Sequence, residues 1–164
     1  MRRSGTKREG GASLVEFALI APLLFALIFG MLTGGLALSR KNSMTNAVRE
    51  AARFGATLQE SSGWAGFVQA RAVELSGGDL TTGEVCVKLI RRVSGAEVVR
   101  QQTSCTLPST VEPGTTSVPE GQCAVKVWAR DTAEFNAIFF SRPLPLDAAS
   151  INRYERSGSP ATCA

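Results

Sequence analysis

The hydrophobic pattern divides the chain into two unlike parts. Residues 17–38 carry no charge, a run of about 22 residues. At ~1.5 Å per residue a helix of that length crosses a ~30 Å hydrocarbon core. Inside the run Ala18, Pro22, Ala26, Gly30 and Gly34 recur at every fourth position. Small side chains at that interval form one flat face where a second helix can approach, and Gly30 with Gly34 makes the G-x-x-x-G pattern. Ala26, Gly30 and Gly34 are therefore candidate helix-packing positions. Pro22 removes one backbone hydrogen bond and is expected to kink the helix.

Helical spacing survives into the polar sequence that follows. Leu38, Ala47, Val48, Ala51, Ala52 and Phe54 predict an extension over 39–58 with a broad small-residue face, stopped near Gly55. Ser61 or Ser62 is expected to cap a second helix, with Trp64, Phe67, Val68, Ala72 and Leu75 as its core stripe up to Gly77-Gly78. From Glu84 the period changes to two. Val85, Val87 and Leu89 alternate with Cys86, Lys88 and Ile90, and Ser94-Gly95 signals a turn into a return strand over 97–105. A Pro/Gly/Thr loop over 108–122 leads to a strand over 124–130, with Val125 and Val127 on one face and Lys126 and Trp128 on the other. Residues 131–145 read as a connector with a short helix, and 148–155 as a last strand. The expected class is α+β: one N-terminal membrane helix, then a helix packed on an antiparallel sheet of three or four short strands.

Charge changes this picture little. The chain holds 18 basic and 14 acidic residues, a formal net charge of +4. Arg2, Arg3, Lys7, Arg8 and Glu9 all fall in the first eleven residues, so the remainder is nearly balanced. Nucleic-acid binding needs a basic patch on the folded domain, and the balance argues against one. Basic residues flank both ends of the apolar run, so charge alone does not orient it. The short N-terminal tail and the cysteines beyond the span favour the N-terminus inside and the C-terminal domain outside.

The four cysteines, Cys86, Cys105, Cys123 and Cys163, have no C-x-x-C spacing, and the chain has no histidine. That pattern gives a metal site no support and points to disulfides in an oxidising space. Of three possible pairings, Cys105–Cys123 closing the loop, with Cys86–Cys163 pinning the tail, is the expectation; Cys86–Cys105 across the hairpin is the rival. Without histidine there is no Ser-His-Asp or Cys-His pair, and no phosphate-binding glycine motif is present. No catalytic residue and no cofactor is expected.

The stretch GGASLVEFALIAPLLFALIFGML, with NAVREAARFGA after a polar step, resembles the TadE-like family of the tight-adherence (Flp) pilus systems. The likeness covers residues 10–56 and returns weakly at LDAASINRYE. It implies a pilin-like fold and a leader over 1–11, removed by a prepilin peptidase between Gly11 and Ala12. It also implies that Glu16, the fifth residue after that cut, serves recognition or assembly. The organisation expected is leader 1–11, membrane helix 12–38, helix extension 39–58 and exported domain 59–164. Expected partners are the membrane, the peptidase and other pilin or Tad assembly subunits. The competing function is a signal-anchored exported enzyme or ligand-binding domain.

Overall fold

The computed structural model describes residues 10–137, 140–155 and 163. The first nine residues of the expected leader lie outside that range, as does the C-terminal tail apart from Cys163. One helix, α1 (Gly10–Thr57), runs unbroken for 48 residues and takes Pro22 within it. Its first half stands clear of the fold: from Ser13 to Leu32 every residue is exposed or half-exposed. Its second half is built into the domain. Met44, Ala47, Val48, Ala51, Ala52 and Ala56 repeat at three- and four-residue spacing, and all are buried. Leu38 and Phe54, expected on that face, point outward instead. Gly55 does not stop the helix; it is buried within it.

A second helix, α2 (Trp64–Leu75), lies against α1. Its N-cap is Gly63 in the left-handed region (φ 88°), without the serine side-chain cap that the sequence suggests. Ser61 contributes its carbonyl, which accepts from the Trp64 amide at 3.0 Å. Trp64, Val68 and Ala72 enter the core, while Phe67 stays largely exposed.

Four antiparallel strands follow: β1 (Val85–Val93), β2 (Ala96–Gln102), β3 (Cys123–Ala137) and β4 (Phe140–Arg153), in the order β2-β1-β3-β4. The fold class is thus α+β, as the periodicity predicts. The segment 131–145 is not a connector with a short helix. It extends β3 and opens β4, which pair from Ala124↔Arg153 to Ala137↔Phe140. Pro143 and Pro145 obscure this in the sequence, but β4 is an edge strand, where proline is tolerated.

Both faces of the central strands β1 and β3 are covered. Val85, Val87, Leu89, Val125 and Val127 pack against the helices. The opposite face lies beneath residues 103–122: Cys86 and Trp128 cluster with Val111, and Ile90 and Ala124 with Val118. This layering decides the disulfides. They are Cys86–Cys105 and Cys123–Cys163, with Cα separations of 5.5 and 5.7 Å, which overturns the expected Cys105–Cys123 and Cys86–Cys163. Cys105 sits with Cys86 on the loop-covered face, whereas Cys123 belongs to the core beneath the helices. The sheet itself separates the two cysteines that loop closure would join. Peptide mapping without reductant should recover 86–105 and 123–163 linkages. A 105–123 peptide, or four free thiols after aerobic growth, would contradict this arrangement.

Candidate functional site: the anchoring helix and its charged collar

Gly11, Ala12 and Glu16 all lie in the first turns of α1. A Cβ built on Gly11 meets nothing within 4 Å, and Glu16 is exposed. Glu16 follows Ala12 by four residues, which sets the two on the same side of the helix. The helix-packing positions fare unequally. Ala26 and Gly30 are half-exposed, and the space beside Gly30 is open. Gly34 is faced by the chain's own Phe135, whose ring comes within 3.8 Å of a built Cβ. The small-residue face is therefore free at Gly30 and partly covered at Gly34.

Just past the apolar run a collar of charges joins α1 to the sheet. Arg40 lies 3.9 Å from Asp79 and 4.0 Å from Asp131. Lys41 donates to the backbone carbonyl of Asp147. Arg130 grips the Asp147 carboxylate with two hydrogen bonds, at 2.5 and 2.8 Å. The hydrogen bond from Arg130 outweighs partial burial and, with the charges of Arg130 and Lys41, holds the Asp147 carboxyl below its ordinary value of 3.8. The three aspartates scattered in sequence thus meet around one turn of the helix.

A second charge cluster was not legible as a unit. Lys88 and Lys126 are directly opposed on β1 and β3. Glu112, from the covering loop, sits between them and accepts from Lys126 and from Lys88, each at 2.7 Å. Glu97 of β2 takes Lys126 as well, at 2.9 and 3.1 Å. The Lys88 ammonium also lies over the Trp128 ring, 5.4 Å from its centroid. Burial works against the charged Glu112, but the two lysines prevail and hold its carboxyl below the ordinary 4.5. The sequence offered one clue, a lysine alternating with valines in a buried strand.

A third feature is a cleft between the ends of α1 and α2, lined by Phe54, Leu58, Phe67, Ala70, Arg71 and Glu74. Phe67, outside the core stripe, is one of its walls. Among the described residues no group of three or more His, Cys, Asp or Glu is placed to hold a metal ion.

The architecture is that of a small disulfide-bonded α+β domain carried on the end of one long helix. Among the described residues that helix is the one long and apolar enough to cross a membrane, with a mean hydropathy of 2.4 over its most apolar stretch and none of that stretch buried. Residues 11–53 match the family model described as TadE-like protein, so the likeness read over residues 10–56 holds for that segment. The match ends inside α1, before α2 and the sheet. No curated protein and no solved structure matches the chain.

Proposed function

We propose that this chain is a non-catalytic, pilin-like membrane protein of a tight-adherence pilus or a related secretion apparatus. It is cut by a prepilin peptidase between Gly11 and Ala12 and assembled through α1. The observation that carries this reading is the family match, which falls on the glycine, the glutamate and the apolar helix. The structure supports it in two further ways. The lipid-length half of α1 is unpacked and available to other helices, with its small face open at Gly30. The domain beyond carries two disulfides, as expected of a segment on the oxidising side. The N-terminus then lies in the cytoplasm and the domain outside.

At Gly11 only glycine leaves the backbone open to the catalytic groups of a peptidase. Glu16 sits at the membrane edge, where it can pair with the amino group freed on a neighbour's Ala12. N-terminal sequencing of the membrane-extracted protein should begin at Ala12. Gly11→Val should leave the precursor uncut, and Glu16→Ala should be cut but fail to assemble. A start at Arg40, or an intact Met1 or Arg2, would reject the prepilin reading in favour of an ordinary signal or anchor.

A further inference from the structure

The apolar run continues past the point where the domain begins. The run ends at Leu38, but domain residues already line α1 at Thr33 and Gly34. A cavity of about 580 Å³ between α1 and β3 is bounded by Thr33, Ser39, Arg40, Asp79, Glu134 and Asn136. Glu134 and Asn136 are exposed, and such groups belong in water, not among acyl chains. The hydrocarbon therefore ends near Leu32. Counting ~20 helical residues, or ~30 Å, back from there reaches Ser13. That is the stretch standing clear of the fold. Glu16 lies three residues, ~4.5 Å, inside its far edge, where the carboxylate still reaches headgroups.

Residues 33–38 then stand above the bilayer and are still apolar. Leu36 and Leu38 are 68% and 61% exposed. Beside them a groove of about 390 Å³ runs between α1 and β4, with Gly34, Ala37 and Leu38 on one side and Phe135, Leu144 and Leu146 on the other. The cation that lines it, Lys41, already donates to the Asp147 carbonyl. An apolar groove in water calls for a cover. What reaches this one follows from the helix itself. A row of every fourth residue winds around a helix at ~26° to its axis. The row Ala26, Gly30, Gly34 continues to Leu38, so a helix laid along it within the lipid is led into the groove. Two copies anchored in one bilayer stand at one height, so a neighbour brings its own Thr33–Leu38 to this level. Its α1 is unbroken over 48 residues and holds its course on leaving the lipid.

We propose that the groove between α1 and β4 seats the α1 of a second copy of this chain, at the level where both helices leave the bilayer. The inference rests on the reading of α1 as a spanning helix through which the protein assembles, and it names the surface that receives the partner. The contact is isologous: with a two-fold axis along the membrane normal, each α1 lies in the other's groove. Gly34, Gly35 and Ala37 let the backbones come close, and Leu38 of each copy covers Leu144 of the other. The pairing thus extends from the lipid into the base of the folded domain.

The test uses the full chain in bacterial membranes, as two differently tagged copies with the native cysteines held in their disulfides. One copy carries Leu38→Cys and the other Leu144→Cys. A short bismaleimide should join the two tags in several-fold higher yield than it joins Leu38→Cys to Phe67→Cys, which lies on the cleft at the opposite end of the domain. Copies carrying Ala26→Cys report helix pairing within the lipid by oxidative cross-linking. If the Ala26→Cys copies join while 38–144 does no better than 38–67, the groove is wrong and assembly through α1 stands. If neither pair joins, the assembly reading fails and the groove with it. If Leu144→Cys is joined to a different protein instead, the second copy is the wrong occupant. Lipid is tested in vesicles holding one chain each, where Leu38→Cys should react with a membrane-impermeant maleimide as fully as Ser94→Cys. Shielding of position 38 there would carry the hydrocarbon up to Leu38, fill the groove with lipid and overturn the proposal.

Discussion

Lys126→Ala is expected to lower the stability of the α+β domain by ~1.5–3 kcal/mol, the range for losing hydrogen bonds between charged groups at a buried ammonium. The Lys126 side chain is 2% exposed, and it is held between Glu97 and Glu112. Truncation leaves a cavity where the buried Lys126 side chain stood. Glu112 keeps Lys88, but Glu97 loses its ammonium. Urea unfolding of the full chain in detergent micelles, followed by tryptophan fluorescence, measures the loss; Trp128 reports from two residues away. Lys126→Met with Glu97→Gln should recover most of it, because removing both charges removes the desolvation penalty as well. A change within ~0.5 kcal/mol for Lys126→Ala would reduce the cluster to the rank of a surface ion pair.

Glu112 of this cluster and Asp147 of the collar set an acid limit. A carboxyl held below its unfolded value contributes stability that is complete above that value and is lost as pH falls through the folded one. Glu112 and Asp147 are both held low, against ordinary values of 4.5 and 3.8. The urea midpoint should therefore be flat near neutrality and fall progressively below about pH 4.5. In Lys126→Ala that fall should be shallower, since the lysine that favours the charged Glu112 is gone. An equal fall in parent and variant would place the acid sensitivity elsewhere.

What the sequence shows plainly is whatever depends on one period at a time. The apolar run, the switch to alternation at Val85 and the Ser94-Gly95 turn all lie where the pattern puts them. The class and the antiparallel sheet follow from these. The errors occur where two elements must be known together. Pro143 and Pro145 read as strand breakers until β4 is known to be the edge. The cysteine pairing depends on which face of the sheet each residue occupies, and the loop that covers one face gives no periodic signal. Phe67 fits the helical stripe but faces a cleft. For the candidate site, spacing alone picks out Gly11, Ala12, Glu16 and the small-residue face because one helix, α1, carries them all; their roles are part of the proposal. The collar and the Lys88–Glu112–Lys126 cluster join residues distant in sequence, so no spacing announces them.

Gly55 is the clearest case of a residue whose meaning reverses once its neighbours are known. In a helix, Gly→Ala ordinarily stabilises by roughly 0.5–1 kcal/mol, because glycine has more freedom to lose on folding. At Gly66 of α2 a new Cβ meets nothing within 4 Å, and Gly66→Ala should show that gain. At Gly55 the same methyl group would stand 2.9 Å from Val68 Cγ2, and 3.1 Å from both Trp64 Cζ2 and Val125 Cγ1. Those atoms belong to α2 and β3, so α1 cannot relieve one contact without tightening another. Val68 is β-branched and stiff at χ1. Trp64 is pinned by the hydrogen bond from its indole N–H to the Gly55 carbonyl at 3.2 Å, and its ring meets Tyr154 edge-on. Tyr154 in turn donates to the Leu58 carbonyl at 2.8 Å, closing the end of α1 against β4. Gly55→Ala should therefore cost ~1–3 kcal/mol by overpacking, and Gly55→Leu more. Urea unfolding of the two alanine variants side by side gives the answer in their signs: opposite signs are expected, and a stabilised Gly55→Ala would show that the three elements do not close on this glycine as tightly as their distances require.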